Sequence, residues 1–151
     1  MMPTLIRDLT ETDYPALLPL WQIFVSDTTV ERITKNYNRI INNECYKTFV
    51  ALVSDDNTDG ISGEIAGFVT TALTYGIGVE GNYLQVIAIS VKPEIQGMGI
   101  GKKLMQRVEE YAPEVDAFHV FLCSGMQRTD AHAFYERCGY IKGAYGFGKT
   151  L

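Results

Sequence analysis

Hydrophobic positions along the chain change their period several times. Thr4 to Leu9 is a short extended run. Leu17, Leu18, Trp21, Phe24 and Val25 then follow at helical spacing, the apolar face of a first helix. Thr10 stands where an N-cap belongs, with Asp13 three residues on in the manner of a capping box. A second helix is predicted to begin near Asp27 or Thr28, with Val30, Ile33, Tyr37, Ile40 and Ile41 as its stripe. Lys47 to Val53 and Ile65 to Leu73 read as strands. The run Ser54–Gly60 between them is made of local hydrogen-bonders and a glycine, which predicts a turn and an antiparallel hairpin. Tyr75–Asn82 is a loop, and Tyr83–Val91 is a third, very apolar strand.

The second half has a different grammar. Lys92-Pro93-Glu94 breaks the strand, a glycine-rich segment follows, and Ile100, Leu104, Val108 and Tyr111 form a helix stripe that Pro113 helps to stop. Ala117–Leu122 reads as a buried strand. Ala131, Phe134, Tyr135 and Cys138 share one face of a last short helix closed by Gly139. Tyr140–Leu151 reads as extended, with glycines at 143, 146 and 148. A strand, helix, strand unit implies a locally parallel pairing. The expectation is an α/β fold with a mixed sheet, in a single domain spanning residues 1–151.

Composition narrows the function classes. With 46% hydrophobic and 21% charged residues, the chain reads as an ordinary globular protein with a core of its own. No apolar run approaches the ~18 residues of a membrane span, and the N-terminus lacks the basic and apolar regions of a signal peptide. Cys45, Cys123 and Cys138 form no CxxC pair, and His119 and His132 are the only imidazoles. No disulfide framework and no metal site are therefore expected, and a reducing cytoplasm is the expected compartment. A net charge of −5 disfavours nucleic acid as a partner and mildly favours a cationic small molecule.

The segment Val91-Lys92-Pro93-Glu94-Ile95-Gln96-Gly97-Met98-Gly99-Ile100-Gly101-Lys102-Lys103-Leu104 leaves a strand and enters a helix. Glycine there permits positive φ and close approach of a ligand. The unpaired N–H groups and dipole of the new helix make an anion site. A Walker A loop would need glycine at 96 and Ser or Thr at 103, where Gln96 and Lys103 stand. A dinucleotide fingerprint would need its third glycine at Lys102. Both readings fail. A ligand-free β-to-α turn stays open on spacing alone.

Gln96-x-x-Gly99-x-Gly101 resembles the Q/R-x-x-G-x-G/A signature of the GNAT superfamily of N-acetyltransferases. Downstream, Arg128-x-x-Ala131-x-x-Phe134-Tyr135-x-x-x-Gly139-Tyr140 is similar to that family's second signature, with Arg128 in place of the usual asparagine. The resemblance spans nearly the whole chain. It implies a mixed central sheet flanked by helices, with splayed strands holding the pantetheine arm of acetyl-CoA. The amides of Gln96, Gly97, Met98, Gly99, Ile100 and Gly101 would hold the pyrophosphate, and the backbone of Ile89 and Val91 would pair with the pantetheine. The implied reaction is direct attack of a primary amine on the acetyl thioester, without a metal. Dimers are common in the family, and a homodimer is left open.

By the same resemblance Tyr135 is the hydroxyl that supports the departing thiolate; a packed aromatic beside Phe134 is the alternative. The base is a gap. An alkyl ammonium near pKa ~10.4 is only about one part in a thousand neutral at pH 7.4. Relatives often place a glutamate in the strand before the glycine loop, but Tyr83–Val91 contains no carboxylate. Glu80 and Glu64 are the nearest acids in sequence, and water relayed through Gln85 or Ser90 is an equal option. Cys123 is expected to be buried and inert, His119 to be structural, and His132 to face outward. Trp21, Phe24, Asp27 and Glu31 lie at the first helix junction, where the resemblance implies an acceptor pocket. An apolar helix face explains Trp21 and Phe24 without any ligand, while Asp27 and Glu31 fit either an acceptor contact or a solvated surface. The competing class is a non-catalytic acyl-CoA-binding sensor of the same fold.

Overall fold

The computed structural model describes Pro3–Ser54 and Gly63–Leu151. Most of the predicted turn after Ser54 lies outside the described residues. The elements run β1 Thr4–Asp8, α1 Tyr14–Gln22, α2 Val30–Ile40, β2 Tyr46–Val53, β3 Glu64–Tyr75, β4 Asn82–Val91, α3 Ile100–Tyr111, β5 Ala117–Leu122 and α4 Thr129–Arg137. Two compact units result, Met1–Phe121 and Leu122–Leu151.

The five strands form one sheet in the order β1-β2-β3-β4-β5. The pairs β1–β2, β2–β3 and β3–β4 are antiparallel, and β2–β3 is the expected hairpin. A helical crossover joins β4 to β5, and the sheet is mixed. Val50 pairs with Phe68 and Phe49 with Val69, so these two pairs point to opposite faces. On one face Trp21 stacks on Phe68, and Leu17, Leu20, Ile33 and Tyr37 join Val50 and Phe68 in the core. On the other, Phe49 meets Tyr111 edge-on at 5.6 Å, and α3 buries Ile100, Leu104, Met105 and Val108. α1 and α2 therefore cover one side of the sheet and α3 the other.

Local chemistry explains the element ends. The Thr10–Asp13 capping box forms, but on a short 3-10 turn ahead of α1. Buried Asp13 also takes a two-pronged contact from Arg7, at 2.6 and 2.9 Å, which holds its carboxyl below the usual carboxylate range. The hydroxyl of Thr29 caps α2 by accepting from the Arg32 amide.

Three expectations need correction. α1 ends at Gln22, so Phe24 and Val25 lie in the following turn and not on a helix face. β5 is not a buried strand: it is the sheet's edge, and Phe118 on it is 58% exposed. Tyr140–Leu151 forms no strand ladder, and Ile141, Tyr145 and Phe147 stand in solvent. A strand needs a partner, and a segment with three glycines in its last nine residues supplies little side-chain packing of its own.

Candidate active site

The glycine segment begins where β4 ends. Pro93–Ile95 makes one 3-10 turn, and the chain then passes through Gly97 and Gly99 with φ of 82° and 86°. Both values belong to the left-handed region, where glycine alone is unstrained. A Cβ at either position would point into open space. Gly99 is the N-cap of α3, and no side chain caps that end. The amides of the first helical turn, at Ile100, Gly101 and Lys102, have no acceptor within the helix, while Lys103 N–H returns to the Gly99 carbonyl at 3.1 Å. The buried side chain of Ile100 anchors the helix head in the core, so any ligand role rests on its amide. Gln96, Gly97, Met98 and Gly99 are exposed beside it.

The strand entering this loop has a usable edge. Lys92 N–H donates to the Ala66 carbonyl on β3 at 2.8 Å. Backbone groups alternate sides along a strand, so those of Val91 and Ile89 point away from β3. The Val91 carbonyl accepts from Gln96 Nε2 at 3.1 Å, which ties the loop back to the strand. β5 begins beside Asn82, whose N–H donates to the Asp116 carbonyl at 2.7 Å. At equal rise per residue the end of β5, Leu122, falls level with about Ala88. Ile89–Val91 thus run on past the last residue of β5.

A β-bulge interrupts β4 just before this stretch. Thr70 pairs with Ala88 and Thr71 with Val86, leaving Ile87 as the extra residue, 47% exposed. Sequence reasoning missed it, because Ile87 sits inside an unbroken apolar run with no glycine to mark the irregularity. Ser90, offered as a proton relay, is buried and donates to the Leu20 carbonyl at 3.1 Å. It is a tether between α1 and β4.

Neither sequence-nominated acid falls beside the bulge. Glu64 is held in an ion pair by Lys92. Glu80 lines an open cleft of about 450 Å³ with Gly81, Pro113, Asp116, Ala117 and Phe118, where β4 and β5 begin. At ~3.3 Å per residue that is about 20 Å along β4 from Ile87. Gln85, paired with Ala72 on β3, is half-buried. Among the described residues, no cluster of three or more His, Cys, Asp or Glu could hold a metal ion. No described helix is long and apolar enough to cross a membrane.

The second unit carries α4. Tyr135 is half-buried, its ring 5.2 Å from Phe134 and 6.5 Å from Tyr140. Burial pushes its phenol up from the ordinary value, the positive charge of Arg128 works against that rise, and Cys138 adds to it. The hydroxyl therefore stays protonated as a donor. Gly139, at φ 90°, closes α4 as expected. Cys123 is exposed, contrary to expectation, because β5 ends at Leu122 and releases it. His132 is half-buried, with Nε2 2.8 Å from the Gly125 carbonyl in an exposed hydrogen bond. His119 is exposed and stacks on Phe121 within β5, 6.2 Å between ring centres.

The sequence model of the acetyltransferase (GNAT) family matches residues 9–140. The aminoalkylphosphonate N-acetyltransferase of Salmonella typhimurium is 29% identical over 90 residues, which are 60% of this chain and 58% of that protein. The chain thus aligns with little more than half the length of that relative. A GNAT family acetyltransferase from Staphylococcus aureus superposes with a TM-score of 0.79 at 20% identity, covering 100% of both chains. An aminoglycoside N-acetyltransferase in complex with CoA superposes at 0.80 and 14% identity, covering 100% of this chain and 96% of that one.

Proposed function

We propose that this chain, which belongs to the acetyltransferase (GNAT) family, acts as an enzyme that moves the acetyl group of acetyl-CoA to a primary amine. The observation that carries the reading is the head of α3: uncapped amides behind two left-handed glycines, at the end of a strand whose outer edge runs past its neighbour. Amides aimed outward at a helix N-terminus suit the pyrophosphate of a coenzyme. The outward backbone of Ile89 and Val91 suits the pantetheine amides, which can pair with it as another strand would.

The chemistry then follows from the groups available. The amine nitrogen attacks the acetyl carbon, the carbon–sulfur bond breaks, and its electron pair leaves on sulfur. The ammonium proton ends in solvent or on the thiolate, giving an amide and free CoA. In this reading Tyr135 donates a hydrogen bond to the leaving sulfur. Its raised pKa favours that role over full proton transfer, because a weaker acid gives up its proton less readily. With no carboxylate on β4, the amine enters already neutral. A water relay through Ser90 is disfavoured, since its hydroxyl is already bound to Leu20.

The relatives mentioned above act, by name, on aminoalkylphosphonates and aminoglycosides, so both belong in an acceptor panel with amino acids, polyamines and arylalkylamines. The test is release of free thiol from acetyl-CoA as a function of acceptor. A saturable, acceptor-dependent rate is expected. For that acceptor kcat/KM should climb about tenfold per pH unit up to the amine pKa near ~10. Tight binding of acetyl-CoA with no thiol released by any amine would make the chain a binding module instead.

A further inference from the structure

The loop that leads into α4 is fastened at one carbonyl. That of Gly125 accepts the Arg128 N–H at 3.0 Å and lies 2.8 Å from His132 Nε2. The Arg128 carbonyl in turn accepts the His132 N–H at 3.1 Å, a helical bond spanning four residues. Arg128 is the N-cap of α4, and no side chain caps that end. Its backbone is thus held on both sides, by Gly125 before it and by His132 after it.

From this fixed point Arg128 shares a face of α4 with Tyr135. Seven residues carry an α-helix through two turns less about 20°, with a rise of about 10 Å. Between the two on that face stand Ala131, which has only a methyl group, and His132, whose ring is engaged at Gly125. The phenol registers the guanidinium, whose charge opposes the rise in pKa that burial imposes on Tyr135; Cys138 acts in the opposite sense. Lys142 is paired with Glu136 at 3.3 Å, so those two charges largely offset each other. An asparagine at 128, as the family's signature has it, would bring no charge.

We infer that the guanidinium of Arg128, held at the head of α4 by the Gly125–His132 fastening, is a through-space charge that supports the departing thiolate of CoA beside the Tyr135 hydroxyl. The inference rests on the acetyltransferase reading above and adds a residue to it. As the carbon–sulfur bond breaks, its electron pair stays on sulfur, next to the hydrogen bond that Tyr135 donates. A fixed positive charge on the same helix face lowers the free energy of that anion and does little for the neutral thioester. Support that appears only as charge develops acts on kcat and leaves KM alone. Arg128 is exposed, so water and salt weaken its reach, and its share is smaller than that of the direct hydrogen bond.

The test needs no turnover. Titration calorimetry compares CoA with desulfo-CoA, which has no thiol, at about pH 7 and about pH 9.5, either side of the ordinary thiol pKa near ~8.5. In the wild-type chain CoA should gain on desulfo-CoA by about 3- to 10-fold between the two, because a nearby positive charge favours the thiolate. Arg128→Gln should abolish most of that gain, and Arg128→Lys, which keeps the charge, should retain it. In turnover Arg128→Gln should lower kcat by roughly 5- to 30-fold, with KM for the amine and affinity for acetyl-CoA nearly unchanged. Added salt should narrow the gap between wild type and Arg128→Gln. A gain that persists in folded Arg128→Gln, or a wild-type kcat in that variant, would overturn the inference while leaving the acetyltransferase reading in place. Failure of the wild-type chain to bind CoA, desulfo-CoA or acetyl-CoA would overturn that reading, and the inference with it.

Discussion

At the head of α3 the proposed chemistry is carried by backbone, while in Leu122–Leu151 it is carried by one side chain. The loop needs no particular functional group: its amides come with the chain, and the residue choices at 97 and 99 only permit the φ values that aim them. Such a site is written in the sequence at fixed spacing. Tyr135 works only through where its hydroxyl stands and what surrounds it, and the spacing of its motif conveys neither. The structure adds the surroundings: a half-buried phenol whose rise in pKa the charge of Arg128 opposes. It also gives Arg128, the departure from the family's asparagine, a physical effect on Tyr135.

The largest effect should come from the side-chain site. Tyr135→Phe keeps the ring and its contacts with Phe134 and Tyr140, so melting should move little. Losing a hydrogen bond that strengthens as sulfur takes charge should lower kcat by roughly 10- to 1000-fold with KM nearly unchanged. The pKa direction adds a second check. Because burial raises this phenol, the wild-type enzyme should keep its donor on the alkaline side to at least pH ~10 and lose it only above. Steady-state kinetics across pH measure both. A folded variant with wild-type kcat would reduce Tyr135 to packing and leave the backbone site alone.

The backbone site is best challenged at Gly101. Valine at Gly97 or Gly99 would strain a left-handed backbone whether or not a coenzyme binds there. Gly101 lies in the first turn of α3, outside the left-handed set, so a side chain there strains no φ. Gly101→Val should then crowd the approach of a pyrophosphate and weaken acetyl-CoA by about 10- to 100-fold, the scale of one or two hydrogen bonds to a charged group. Titration calorimetry on the folded variant reads this directly. Unchanged affinity would move the coenzyme off the head of α3.

The same contrast explains what was legible. Strand and helix positions follow from apolar period, and all nine elements lie within a few residues of where the pattern puts them, α4 and its closing Gly139 included. The glycine loop was legible because its glycines are conformational requirements. The bulge at Ile87 was not, since isoleucine is equally at home in a regular strand. Nor was the exposure of Phe24: a helical stripe predicts burial, but α1 stops at Gln22 and the stripe continues into a turn. Cys123 and the segment after Tyr140 failed for a related reason. Apolar residues imply a core only if some element arrives to cover them, and sequence period does not say which strand becomes an edge.

The smallest expected effect comes from a residue whose backbone and side chain serve different ends. Ser90 lies on β4 between Ile89 and Val91, whose backbone faces the proposed coenzyme edge, while its own side chain points into the α1 side of the sheet. Alternation along the strand thus lets one stretch offer backbone outward and a tether inward. Ser90→Ala removes one buried hydrogen bond and leaves the Leu20 carbonyl without that donor, a loss of about 1 kcal/mol. For a chain of this size that lowers the melting temperature by about 3 °C. Because the tether fixes the end of α1 against β4, KM for the acceptor amine should rise at most a few-fold, while affinity for acetyl-CoA, held by backbone, should stay the same. The slope of kcat/KM against pH should also stay the same, since a hydroxyl bound to a carbonyl relays no proton. A drop in kcat of a hundredfold, with a flattened pH profile in a folded variant, would instead make Ser90 part of the proton path and return the missing base to β4.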